Sequence, residues 1–149
     1  MEKDFSTLYL ENQLCFPLYA ASRLTTKLYT PFLEDLGITY PQYLVLLVLW
    51  EKNAQTVTEI GTRLALESNT LTPLLKRLEQ KELLTRSRSS KDERAVVVTL
   101  KASGEALKEQ AVCIPQKIME SFANASITQE ELLAFQKTLT KLVELLREE

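Results

Sequence analysis

The stretch Thr56–Leu100, TVTEIGTRLALESNTLTPLLKRLEQKELLTRSRSSKDERAVVVTL, decides the fold. Thr56 and Glu59 are spaced to cap each other's free backbone donors ahead of Ile60 and Leu64, which predicts a helix over about Val57–Ala65. A second helix is expected after the polar knot Glu67-Ser68-Asn69, whose short side chains suit a cap, because Leu71, Leu74, Leu75 and Leu78 recur at helical spacing. Pro73 agrees with that start, since a proline is tolerated only near the first turn. Opposite the leucines lie Ser68, Asn69, Thr70, Thr72, Lys76 and Arg77. Short hydrogen-bonding groups at the N-terminal end with cations behind them suit a recognition helix, which presents that end to a major groove flanked by phosphates.

After Leu83-Leu84 the period changes. Arg86 and Arg88 alternate with serines, a polar turn Ser89-Ser90-Lys91-Asp92-Glu93 follows, and Ala95–Thr99 is β-branched, so two strands and a charged tip are expected. Helix, turn, helix and hairpin make a winged helix-turn-helix. Arg94 beside the tip is placed to enter a minor groove, where an arginine reads width and negative potential. A solvated hairpin without a partner is the plainer reading, and charge distribution decides against it. From Lys76 to Lys101 there are eight basic and four acidic residues, a local balance of +4 within a chain whose net charge is −2. One basic segment on a mildly acidic protein confines phosphate attraction to one surface.

With 149 residues, 45% of them hydrophobic and 26% charged, the chain is expected to form a single mainly α domain with a small β-wing. No apolar run approaches a membrane span and no cationic-then-apolar leader opens the chain, so a cytoplasmic protein is expected. The chain has no histidine, and its three glycines, Gly37, Gly61 and Gly104, are isolated. That removes the commonest general base, the commonest metal ligand and any phosphate-cradling loop, so neither catalytic residues nor a metal or other cofactor is expected.

Working outward, Met1–Asn12 reads as a mixed polar arm. Leu14, Leu18, Ala21, Leu28 and Phe32 form one apolar stripe on a helix from Gln13 to about Glu34. Gly37 ends that segment. Thr39 and Gln42 form a further capping box, with Pro41 in the first turn, ahead of the apolar run Tyr43–Trp50; a buried strand fits the run nearly as well, but the cap favours helix. Lys101 to about Phe122 is helical by composition and should kink or end near Ile114 because of Pro115. Thr128 and Glu131 supply another capping box, and Leu132, Phe135, Leu139, Leu142 and Leu146 then follow at coiled-coil spacing. The DNA-binding lobe is thus about 39–100, and the helical segments 10–36 and 101–149 need a surface to cover them. A homodimer supplies it, with two recognition helices about 34–36 Å apart on a near-palindromic site. An intramolecular helical hairpin in a monomer is the other way to cover them.

Two cysteines, Cys15 and Cys113, are too few for a secreted disulfide framework and too far apart for a metal knuckle. A lone helical cysteine is by default a small core residue. Cys15, however, lies near a helix start, where unpaired backbone N–H groups favour an anion, and Tyr19, Tyr29 and Tyr40 are nearby phenols able to donate to one.

The words LENQLCFPLYAASR (Leu10–Arg23), GITYPQYLVLLVLWE (Gly37–Glu51), SNTLTPLLKRLE (Ser68–Glu79) and SKDERAVVVTL (Ser90–Leu100) resemble the organic hydroperoxide resistance repressors of the multiple-antibiotic-resistance regulator (MarR) family, over about Leu10–Ser121. The resemblance implies a dimeric repressor whose peroxidatic cysteine, matching Cys15, is oxidised to a sulfenic acid by organic hydroperoxides, with release from DNA. It also implies that the tyrosines matching Tyr29 and Tyr40 bond that cysteine from the partner subunit, with help from Tyr19, and that Asp92 and Arg94 match a DNA-contacting pair of the wing. In some members a second cysteine, in the helix after the wing of the other subunit, captures the sulfenate. Cys113 is the matching candidate; a passive thiol, with a small cellular thiol capping the sulfenate, is the alternative. Pro17 departs from the family pattern and bears on where the first helix begins. Two rivals stand beside this reading: a regulator of the same fold released by a phenolic or lipophilic ligand, and a thiol peroxidase. Against the peroxidase stand the missing histidine and the missing Cys-x-x-Cys pair.

Overall fold

The structure is a computed structural model and describes residues 4–123 and 126–147. Seven helices and three strands are described: α1 (Cys15–Asp35), α2 (Tyr40–Glu51), β1 (Gln55–Thr56), α3 (Val57–Leu64), α4 (Ser68–Gln80), β2 (Leu84–Arg88), β3 (Val96–Leu100), α5 (Ala102–Ala111), α6 (Ile114–Ala123) and α7 (Gln129–Arg147). The chain divides into two compact units, Met1–Tyr40 and Pro41–Glu149.

In the first unit the expected polar arm carries two turns of 3-10 helix, Ser6–Leu8 and Leu10–Asn12. Amide side chains hold them: Asn12 Nδ2 donates to the Ser6 carbonyl (2.7 Å) and Gln13 Nε2 to the Thr7 carbonyl (2.8 Å). Helix α1 begins at Cys15 rather than Gln13, and Pro17 explains why. As the third helical residue it occupies the turn whose N–H groups have no intrahelical acceptor, so its missing donor costs nothing there. The helix stops where Gly37 takes φ of +65°, with Gly37 N–H bonded to Glu34 O (2.9 Å) and Ile38 N–H to Leu33 O (3.0 Å), a Schellman end. The expected stripe is not buried in the single chain: Leu14 is 91% exposed, and Leu18 and Leu28 are also exposed.

The second unit contains the helix-turn-helix and its core. The run Tyr43–Trp50 is helix, with Tyr43, Val45, Leu46, Val48, Leu49 and Trp50 buried. The Thr56–Glu59 capping box forms in both directions, Glu59 N–H on Thr56 Oγ1 (3.2 Å) and Thr56 N–H on Glu59 Oε2 (2.7 Å). Ala65 then adopts a left-handed conformation (φ 53°), and the chain turns so tightly that a Cβ on Gly61 would lie 2.7 Å from the Leu66 carbonyl. Only a residue without a side chain fits at 61. Leu71, Leu75 and Leu78 of α4 are fully buried with Ile60 of α3.

Three details differ from expectation. The cap of α4 is Glu67, without a side-chain bond, and Ser68 and Asn69 are its first helical residues. The wing sheet has three strands in the order β1-β3-β2, because Gln55 and Thr56 pair with Val98 and Val97. The post-wing helix ends at Ala111, ahead of the expected position, and restarts at Ile114, so Pro115 falls in the first turn of α6.

Candidate functional site

The candidate DNA-reading face lies on α4 and the hairpin. Ser68, Asn69, Thr70, Thr72, Lys76 and Arg77 are all exposed, while Leu71 and Leu75 between them are in the core and Leu74 is half-buried. The polar and apolar sides of α4 are therefore fixed by packing, and its outward face carries short hydroxyls and an amide ahead of two cations.

The wing tip is held by its own small residues. Ser89 Oγ accepts Lys91 N–H (3.2 Å), Ser89 N–H donates to Ala95 O (2.8 Å), and Asp92 Oδ1 accepts the backbone N–H of Arg94 (3.0 Å). Asp92 thus orders the turn that presents Arg94, which is exposed along with Arg88, Lys91 and Asp92. Arg86 is placed differently from these. Its Nε and Nη2 both donate to Glu79 Oε2 (3.0 and 2.7 Å), and its backbone N–H donates to Glu79 Oε1 (3.0 Å). The Arg86 guanidinium holds the Glu79 carboxyl below the usual carboxylate range, with help from the backbone bond.

The remaining frame of the wing comes from residues that carry no sequence signal. Asn53 Oδ1 accepts Leu100 N–H (2.8 Å), buried Gln55 donates through Nε2 to Val48 O (3.0 Å), and the Trp50 indole donates to Gly104 O (2.9 Å). These bonds span up to 54 residues, and no local period announces them.

The thiol and the phenols fall in the first unit, apart from Cys113. Cys15 is the first residue of α1, exposed and unbridged. Tyr19, one turn on, is 60% exposed, and Arg23 lies over its ring at 5.5 Å, a cation–π contact on the same face of the helix. Tyr29 and Tyr40 are brought together, with ring centroids 4.7 Å apart and tilted by 51°. Burial pushes the Tyr40 phenol up from its ordinary value. The same chain does not bring that pair to its own Cys15: fourteen residues along α1 amount to roughly 21 Å of helix rise. Cys113, expected inside a helix, sits at the break between α5 and α6, exposed and unbridged, with its thiol 3.7 Å from the Gln110 carbonyl.

A buried helix-turn-helix with an outward polar face and a basic hairpin defines the class: a winged-helix DNA-binding regulator. A family model for transcriptional regulators of the SarA/Rot type matches residues 27–111. The organic hydroperoxide resistance transcriptional regulator of Bacillus subtilis (strain 168) is 56% identical over 119 residues, covering 80% of this chain and 81% of its own. Among solved structures, reduced AbfR bound to DNA matches with a TM-score of 0.72 at 41% identity, covering 94% of this chain and 96% of its own. AbfR in its disulfide form matches with a TM-score of 0.60 at 41% identity, over 92% of this chain and 94% of its own; AbfR is a protein of Staphylococcus epidermidis. The chain belongs to the organic hydroperoxide resistance regulators of the MarR family.

Proposed function

We propose that this protein is a cytoplasmic homodimeric repressor that holds a near-palindromic operator while Cys15 is reduced and releases it once an organic hydroperoxide has oxidised Cys15. The observation that carries the reading is an exposed cysteine at the first position of α1 in a chain 56% identical to a hydroperoxide resistance regulator.

Chemically, the Cys15 thiolate attacks one peroxide oxygen. A bond forms from sulfur to the terminal oxygen, the O–O bond breaks, and the alkoxide takes a proton from water and leaves as the alcohol. Sulfur is oxidised by two electrons and the hydroperoxide is reduced. The sulfenic acid then condenses with a thiol, forming S–S and releasing water. Cys113 of the partner subunit is the proposed thiol, and its exposure at the break before α6 supports that role. Tyr29 and Tyr40 of the partner subunit are the proposed donors to the reduced sulfur, which fits their distance along the helix from the cysteine of their own chain. In the DNA complex, Ser68, Asn69, Thr70 and Thr72 face the major groove, Lys76, Arg77, Arg88 and Lys91 take phosphates, and Asp92 presents Arg94 to the minor groove.

A second reading keeps the fold and changes the signal. Tyr43, Leu47, Trp50, Ala111, Val112 and Pro115, with Glu51 and Lys108, line a mainly apolar hollow of about 310 Å³ in the second unit, which could take a phenolic or lipophilic ligand. Fluorescence anisotropy on the DNA upstream of the protein's own gene tests both. A stoichiometric organic hydroperoxide should release wild type and leave Cys15→Ser bound, and Cys113→Ser then assigns the one- or two-cysteine route. Normal peroxide release by Cys15→Ser refutes the sensor reading, and a complex indifferent to peroxide but released by an apolar phenol establishes the second.

A further inference from the structure

The Glu79 carboxylate makes three bonds to one residue of the wing, and all three cross from the last turn of α4 to the middle of β2. Strand β2 is an edge of the sheet, and Arg86 opposes Val98 on β3. The Arg86 N–H therefore has no strand beyond it to donate to, and Glu79 Oε1 takes that donor. Oε2 takes the guanidinium through two N–H groups. The pair is only partly open to solvent, 26% for the Arg86 side chain and 35% for Glu79, so water screens it less than the Glu51–Arg63 pair at the surface.

We infer that Glu79 is a positioning residue for DNA reading, fixing the angle between the recognition helix and the wing through Arg86, and that Arg86 belongs to this brace rather than to the phosphate contacts. The inference rests on the regulator reading above. Its leverage follows from the hairpin's length. Ser89 lies about 10 Å along the strand from Arg86, so a swing of roughly 10° at the brace moves the tip by about 1.7 Å, more than a hydrogen bond to DNA tolerates. Arg94, at the far end of that lever, loses its groove first.

The sign of the effect separates the inference from simple electrostatics. Glu79 is a negative charge within the basic segment that faces DNA, so charge alone says that removing it tightens binding. The brace says that removing it weakens binding. Operator affinity of the reduced full-length protein is measured by anisotropy across a salt series for wild type, Glu79→Ala, Glu79→Gln, Arg86→Met and the Glu79→Ala/Arg86→Met pair, with the dimer's mass and melting temperature as folding controls. Glu79→Ala and Glu79→Gln should bind about three- to tenfold more weakly, with the salt slope lower by about one as a wing contact is lost. Arg86→Met keeps the backbone bond to Glu79 and should lose less, and the double variant should be no weaker than Glu79→Ala alone. Should Glu79→Ala melt below the assay temperature, Glu79→Gln, of the same shape, carries the same sign test. Binding by the Glu79 variants equal to or tighter than wild type overturns the inference. So does Arg86→Met lowering the salt slope equally with and without Glu79, which makes Arg86 a phosphate contact in its own right. Wild type that fails to bind the operator at all sinks the regulator reading, and the inference with it.

Discussion

Gly104→Ala sets two forces of known sign against each other. Gly104 is buried on α5, and a Cβ added there would lie 2.1 Å from the Leu83 carbonyl oxygen, 3.0 Å from its carbon and 3.1 Å from Leu100 Cδ2. The obstruction is backbone, and the Leu83 oxygen is itself fixed by the Lys101 N–H at 3.0 Å. Helix α5 cannot retreat freely either, because the Trp50 indole is bonded to the Gly104 carbonyl at 2.9 Å. Relief needs a shift of about 1 Å, and overpacking of that kind costs about 1–3 kcal/mol, with roughly 1 kcal/mol more for a weakened buried hydrogen bond. Alanine's helix propensity returns about 1 kcal/mol. The net loss is about 1–3 kcal/mol, which for a chain of this length lowers Tm by roughly 3–10 °C. Thermal melting at fixed protein concentration, followed by circular dichroism and by the fluorescence of Trp50, the chain's single tryptophan, checks it. A Gly104→Ala protein that melts at or above wild type would show that propensity decides and that the approach of α5 to Leu83 is loose.

Thr56→Ala removes the acceptor of the Glu59 N–H (3.2 Å) at the start of α3 and should cost about 1 kcal/mol in urea unfolding; an unchanged midpoint would show that the cap contributes nothing. Arg94→Ala should lower the salt slope of operator binding by about one and leave folding intact, whereas an unchanged slope would place the wing off the DNA. The pH profile follows from five carboxyls held below their ordinary range, Asp4 by Ser6, Glu51 by Arg63, Glu59 by Thr56, Glu79 by Arg86 and Glu131 by Thr128. A depressed folded-state pKa gives stability that is complete above the ordinary glutamate value of 4.5 and is lost as pH falls through the folded values, so Tm should hold down to about pH 5 and decline below that. A Tm level from about pH 5 to 3 would contradict those pairings.

What could be read from the sequence divides by range. Both the Thr56–Glu59 and Thr128–Glu131 boxes form, because each closes within one turn and depends on nothing distant. Leu71, Leu75 and Leu78 of α4 turn inward as their period requires, and the apolar run Tyr43–Trp50 is a helix buried on most sides, with Leu47 exposed. Strand β1 was not legible: two residues have no period, and Gln55 and Thr56 become strand only because Val97 and Val98 arrive beside them. Arg86 looked like any other wing cation, since its partner lies seven residues back across a turn, where neither helical nor strand spacing pairs side chains. The α4 cap differed for a related reason. Ala65 takes the left-handed conformation and completes the turn early, so the helix begins at Ser68 with Glu67 as its cap, inside rather than after the polar knot Glu67-Ser68-Asn69. At the thiol site Tyr29 is roughly 21 Å of helix rise from Cys15 of its own chain, so the proposed phenol donors to that cysteine belong to the partner subunit.

The two units differ in what stabilises them, and that difference bears on the proposed switch. The second unit has its own core, from Tyr43 through Ile60, Leu75 and Val98 to Ile118. Between Asp4 and Tyr40 the buried apolar residues are Leu33 and Ile38, while Leu14, Phe16, Leu18, Leu24 and Leu28 are all exposed. A 21-residue helix with so little burial is marginal alone, so α1 takes its order from what covers it, and in the proposed dimer that is the other chain. Helix α7 is in the same position, with no buried residue and Leu133, Phe135, Leu145 and Leu146 each more than half exposed. Burying one such leucine or phenylalanine is worth about 1.5–3 kcal/mol, and a hundredfold loss of operator affinity is about 2.7 kcal/mol. In the proposed switch, an adduct or disulfide at Cys15 would lower operator affinity by that amount only where the DNA-bound dimer keeps one or two of these side chains packed on the partner and the free oxidised dimer does not.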